Sequence, residues 1–131
     1  MATEQEVGVE VIDREHAELL ALIGALVEEA RAPGPGSRLA PAVEALLGKV
    51  RSHFATEGGL MRKHGFGAIA AHENAHEVFL VTLESLHRSL EAARTAPIGK
   101  KIEVLVGEWL QLHIEGYDKV LARFLREAGE K

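Results

Sequence analysis

Seven residues carry the chemistry this chain could do: His16, His53 with Glu57, His72 with His76, and His113 with Asp118. On an α-helix, residues four apart lie about 40° from one another around the axis and about 6 Å along it. His53 and Glu57 therefore point the same way, and so do His72 and His76. Imidazole and carboxylate together suit iron, zinc or manganese. The chain has no cysteine, which removes thiolate ligands and argues against an iron–sulfur cluster. His113 and Asp118 pose a separate problem, because five residues on a regular helix are about 140° apart. Either a local π-bulge between Ile114 and Tyr117, helped by Gly116, swings Asp118 back toward His113, or a regular helix offers the two side chains from different sides of its contact line.

Four helices must position these residues. Ile12, His16, Leu19, Leu20, Ile23, Leu26 and Val27 recur at three- and four-residue steps, which predicts a first helix of about 18 residues. Asp13 is placed to cap its start, and the Pro33–Gly34–Pro35–Gly36 run to stop it. A second helix runs from near Ser37 or Pro41 to about Lys63, with Val43, Leu46, Leu47, Val50, His53, Phe54, Glu57, Leu60 and Met61 inward and His64-Gly65 at its end. A third carries Ile69, His72, His76, Phe79, Leu80, Leu83, Leu86 and Leu90 and finishes near Arg94, before Thr95-Ala96-Pro97. The fourth follows Pro97 with Ile102, Leu105, Val106, Trp109, Leu110, His113, Tyr117, Val120, Leu121 and Phe124, and frays near Gly129. No run of alternating valine and isoleucine competes as a strand. The expected fold is all-α, an antiparallel up-down-up-down four-helix bundle with a metal site in its core.

Composition bounds the rest. The 131 residues read as one domain, 1–131, and 47% hydrophobic content is enough for a core without disulfides. A net charge of −5, with Lys and Arg scattered among Asp and Glu, leaves no basic stripe and argues against nucleic acid as a partner. The acidic start MATEQEVGVEVID is unlike a signal peptide, and no stretch reaches the roughly 20 apolar residues of a membrane span. A soluble, cytoplasmic protein without membrane insertion is expected. A single histidine on an apolar stripe is usually a satisfied core residue. Seven polar groups on four such stripes are different, because burying them without partners costs several kcal/mol per charged group, and a shared metal supplies the missing partner.

The ordered pattern H…HxxxE…HxxxH…HxxxxD, set in IDREH, HFATEGGLM, HENAHEVFL and WLQLHIEGYDKVL, resembles the hemerythrin family, most closely its bacterial single-domain members. The resemblance spans His16 to Asp118. It implies a non-haem di-iron centre in the bundle core. His72, His76 and His113 would bind one iron and His16 and His53 the other, with Glu57, Asp118 and a hydroxide or oxide as bridges. The first iron would then be six-coordinate, and the second would keep one position for dioxygen beside His16 and His53. The implied function is reversible dioxygen binding for storage, delivery or buffering. The alternatives are a di-iron redox enzyme acting on peroxide or nitric oxide, and an oxygen or redox sensor. The implied partners are dioxygen and a reductase or an oxygen-consuming enzyme, and the carrier fold needs no second subunit, so a monomer is expected.

A dry pocket separates oxygen binding from oxygen activation. Trp109 and Leu110, one turn before His113, match the WL pair that flanks the oxygen pocket in the family, and Ile114 and Phe54 are the next candidates. Two departures stand out. Gly58 and Gly59 follow Glu57 where members usually have a further acidic residue, making α-helix there either more flexible or more closely packed. The arm before VGV–ID also lacks the Trp and Tyr common in relatives. Outside the set, His64 is expected to cap the end of the second helix. His87, about 16 Å along the axis from His76, is expected at the end of the bundle.

Overall fold

The computed structural model describes residues 6–31, 39–91 and 102–131. Four helices account for nearly all of them: α1 (Glu10–Arg31), α2 (Ala40–His64), α3 (Ile69–Glu91) and α4, residues 103–127. The expected Pro33–Gly36 stop, the Ser37 start and the finish at Arg94 to Pro97 lie outside the described residues. No helix among the described residues is long and apolar enough to cross a membrane.

Cross-helix contacts give the topology. Glu15 meets His53 and Glu18 meets Lys49, so α1 and α2 run in opposite directions. Glu84 pairs with Arg51 and Glu73 with Arg62, which sets α3 against α2. Phe79 stacks on Trp109 while His72 meets Tyr117, which sets α4 against α3. His16 beside Asp118 closes the ring between α1 and α4. The bundle is therefore the up-down-up-down arrangement that the amphipathic stripes predict. Ile12, His16, Leu19, Ile23 and Leu26 form the buried stripe of α1, and His72, His76, Phe79, Leu83, Leu86 and Leu90 that of α3.

Local chemistry fixes the helix ends. α1 starts three residues before Asp13, so Asp13 lies one turn inside it rather than at its cap. Its carboxylate instead accepts the N–H groups of Val7 at 2.7 Å and Gly8 at 3.0 Å. That ties down an arm whose Val7 and Val9 are buried. The Arg126 guanidinium donates to the Val7 carbonyl, and the Glu10 N–H donates to the Lys131 carbonyl at 3.0 Å. Gly8 sits at φ +92° with Arg126 pressed where a Cβ would stand, so both conformation and space favour glycine there. α2 ends at Gly65 in the left-handed region, φ 68°. The Gly65 N–H donates to Arg62 and the Phe66 N–H to Met61, a Schellman closure.

α4 is not a regular helix. Segments Glu103–Glu108 and Ile114–Asp118 are π-helical, and Trp109–His113 and Lys119–Glu127 are α-helical. The second π segment is the bulge that the His113–Asp118 spacing raised as one of its two solutions. The first has no comparable spacing signal in the sequence. The wider turns also explain why Tyr117 and Val120, expected inward on a 3.6-residue period, are exposed. A π turn takes up an extra residue, so positions after it drift from the regular stripe.

Candidate metal centre

All seven predicted side chains meet in the bundle, and each is buried. α1 delivers His16, α2 His53 and Glu57 one turn apart, α3 His72 and His76 one turn apart, and α4 His113 and Asp118 across the π turn. His113 and Asp118 share a face because an i to i+5 turn brings the fifth residue back toward the starting direction, and their Nε2 and Oδ1 atoms are 3.2 Å apart.

The two carboxylates divide their oxygens between two groups of imidazoles. Glu57 Oε2 lies 3.0 Å from His53 Nε2 and 3.7 Å from His16 Nε2. Glu57 Oε1 lies 3.0 Å from both His72 Nε2 and His76 Nε2. Asp118 repeats the division, with Oδ2 2.9 Å from His16 Nε2 and Oδ1 3.1 Å from His72 Nε2. Two donor sets result, one of Glu57, His72, His76, His113 and Asp118, the other of His16, His53, Glu57 and Asp118. They share both carboxylates.

These donors fit a pair of cations. Glu57 Oε2, both Asp118 oxygens and the Nε2 atoms of His16 and His53 are buried with no aligned hydrogen-bond partner among the described residues. They lie close to one another but are wrongly directed to bond, and stranded buried polar atoms are costly. His76 Nε2 and His113 Nε2, 3.1 Å apart, can have at most one proton between them while both stay neutral. Atoms that crowd together without serving one another suit a shared cation, and imidazole with carboxylate is the donor chemistry of iron, zinc and manganese.

Without a bound cation, the charge on each group is set by burial and by its neighbours. Burial disfavours the charged form of every group. At His53 the carboxylates of Glu15 and Glu57 outweigh burial and hold the imidazolium up to about 10. At His72, Asp118 and Glu57 do the same, to about 9, and His16 is raised by the same two carboxylates. Burial prevails at His76, whose pKa is lowered. The surrounding imidazoles hold Glu57 and Asp118 well below the usual carboxylate range despite burial. For chelator-treated protein, the raised His53 and His72 add stability that is complete below about 6.5 and is lost as pH rises through about 9 to 10. Urea midpoints of that protein are expected to fall over this range. Metal-loaded protein is expected to show the opposite slope between about pH 6 and 8, because a cation must displace those protons.

An imidazole that ligates a metal needs an outer partner for its second ring nitrogen. Glu15 is that partner for His53. Its Oε1 lies 2.7 Å from His53 Nδ1, and its Oε2 accepts the Thr56 hydroxyl at 3.0 Å. The signal was an acidic residue next to His16, turned by one helical step toward α2. Such a partner fixes which ring nitrogen faces the metal. Glu15→Ala is expected to weaken cation retention by about 10–100-fold, read by competition with a chelator, whereas Glu15→Gln keeps part of it.

Of the four residues expected around an oxygen pocket, Leu110 and Ile114 are buried in the core. Phe54 stacks on His76, ring centroids 3.7 Å apart, and Trp109 stacks on His113 at 4.6 Å. Both rings thus stand against the three-histidine group. α2 runs unbroken through Gly58 and Gly59. A Cβ at Gly58 would come within 3.2 Å of the Arg62–Glu73 pair, so this stretch is closely packed at Gly58, while Gly59 faces open space. His64 does not simply cap α2. With Lys63 it reaches the Glu130 carboxylate, each at 3.1 Å, which joins α2 to the carboxyl-terminal residues. His87 lies four residues before the end of α3 and is half-buried.

Fold and geometry together define a helical-bundle protein whose core carries two overlapping donor sets, of histidines and two shared carboxylates, that could hold cations. The chain belongs to the hemerythrin HHE cation binding domain family, which matches residues 7–125. Two relatives, both named bacteriohemerythrin, come from Stenotrophomonas maltophilia (strain R551-3) and Methylococcus capsulatus. The first is 27% identical over 88% of this chain and 74% of its own length. The second is 28% identical over 91% and 89%. A solved structure titled as wild-type hemerythrin superposes with a TM-score of 0.83 at 26% identity, covering 95% of this chain and 96% of its own.

Proposed function

We propose that this chain holds two iron ions and binds dioxygen reversibly, as a store, carrier or buffer, with a reductase or an oxygen-consuming enzyme as its partner. The observation that carries this reading is the unequal division of donors. Glu57 and Asp118 serve both groups, but three histidines stand on one side and two on the other. His72, His76 and His113 would complete one iron with the bridging oxygens, and His16 and His53 would leave the second iron a free position. A ferrous pair, when bound, supplies the two electrons that dioxygen capture takes and release returns. Two ferrous ions, two carboxylates and one hydroxide bring the buried charge to about +1, far less costly than bare metal.

The chain's own part is to hold and to keep dry. Glu15 and Thr56 orient His53. Phe54 and Trp109 fix His76 and His113 by stacking, and Leu110 and Ile114 exclude water from the core beside them. Leu110→Ala is expected to speed autoxidation several-fold by admitting solvent; an unchanged rate removes Leu110 from the pocket. The reading as a whole is tested by metal content and by the visible spectrum of anaerobically reduced protein, before air, after air and after oxygen removal. Two irons per chain and a charge-transfer band that appears and reverses support it. Irons that oxidise without a reversible band overturn it in favour of a redox enzyme or sensor.

A further inference from the structure

Four aromatic rings form one continuous column through α3 and α4. Phe79 stacks on Trp109 with centroids 4.0 Å apart and planes 14° apart. Trp109 stacks on His113 at 4.6 Å and 11°, and His113 on Tyr117 at 5.1 Å and 16°. His113 is therefore clamped between the ring four residues before it and the ring four residues after it. The column starts at the fully buried Phe79 and ends at Tyr117, which is 42% exposed. It thus carries ring contact from a histidine of the candidate centre to the protein surface.

The surface where it emerges is unusual. All the large apolar side chains exposed among the described residues, Val78, Val81, Val104, Leu112, Tyr117 and Val120, lie on α3 and α4. Leu112 is 72% exposed and Val120 58%. Tyr117 separates two clefts on this face, one of about 380 Å³ bordered by Val78, Leu112 and His113, the other of about 190 Å³ bordered by His72 and Val120. Exposed apolar patches mark interaction sites, and transient redox partners bury small areas.

We infer that Tyr117 and the apolar face around it are where electrons enter the centre, and that the face receives a small protein acting as a one-electron donor. This rests on the di-iron reading above. One electron leaves the donor and takes one iron from ferric to ferrous, and a second transfer restores the pair. No bond in Tyr117 or His113 breaks, and neither ring needs to gain or lose a proton. The rings serve as a short, stacked path between donor and ligand.

The absence of cysteine lets a ruthenium photosensitiser be attached at one chosen place in the iron-loaded, oxidised protein. Labels at Val120→Cys, beside Tyr117, and at Ala55→Cys, on the exposed side of α2, inject electrons from two faces. From Val120→Cys, Tyr117→Leu is expected to slow photoreduction tenfold or more, with Tyr117→Phe close to the parent. From Ala55→Cys, all three are expected to react alike. Equal slowing from both labels, or no slowing, overturns the inference. Absence of photoreduction from both labels in protein that carries two irons overturns the inference, whereas fewer than two irons per chain overturns the di-iron reading on which it rests. A second variant tests the docking face while leaving the stacked rings in place. With a chemically reduced rubredoxin as donor, Leu112→Glu is expected to raise the donor concentration for half-maximal rate at least fivefold while reduction by dithionite is unchanged. An unchanged concentration dependence overturns the docking face.

Discussion

Glu57→Ala is expected to strip both metal ions from the chain, whereas His16→Ala is expected to strip one. Glu57 is placed for this because its two oxygens are not equivalent: Oε2 faces His53 and His16, and Oε1 faces His72 and His76. Removing it deprives both donor sets together and leaves four imidazoles around a void. Metal per chain after desalting is expected to fall from two to near zero, with one retained in His16→Ala. The loss of a buried charged partner is also expected to cost about 3–5 kcal/mol in unfolding free energy, read from urea midpoints. Retention of two ions by Glu57→Ala would show that the carboxylate is not shared.

The second large effect concerns backbone rather than side chain. Inserting one alanine after Gly116 lengthens the π turn to a spacing that no single turn accommodates, and is expected to rotate Asp118 and everything after it by about 100°. Leu121, Ala122 and Leu125, all buried, would leave the core with it, so both metal content and cooperative unfolding should be lost. Deleting Gly116 is expected to do far less. The helix would revert to a regular turn with the aspartate four residues after His113, which keeps it on the same face. The pair of variants separates a bulge that positions Asp118 from one that merely accompanies it. Loss of metal from the deletion, with helix content intact on circular dichroism, would show that the wide turn itself is required.

How much of this was legible beforehand depends on the range of the interaction. The stripes of α1 and α3 follow from three- and four-residue steps, and the seven clustered residues from their spacing along those stripes. The turn at Gly65 follows from local backbone preference. What could not be read depends on how helices rotate against one another. Glu15 is one residue from His16 in sequence, but its pairing with His53 is a property of the α1–α2 contact. The stacking of Phe79 on Trp109 depends on the axial offset between α3 and α4. The π segment Glu103–Glu108 carries no signature comparable to the five-residue interval between His113 and Asp118. Tyr117 and Val120 leave the regular stripe for the same reason, since a period of 3.6 does not hold through a wider turn.

Phe66, whose N–H closes the end of α2, also lies against Phe124 at 5.1 Å and edge-on to His72 at 6.4 Å. The stop signal of one helix is thus part of the roof of the centre, and the clasp of Val7, Arg126, Glu10 and Lys131 ties the same end. The turn between α2 and α3 sets the height of His72 against Glu57, so a change in its length would misalign two ligands from neighbouring helices. Arg31, Ala40, Glu91 and Glu103 mark the opposite end of the bundle. For an engineer the end built around Phe66 is a fixed head in which length is function.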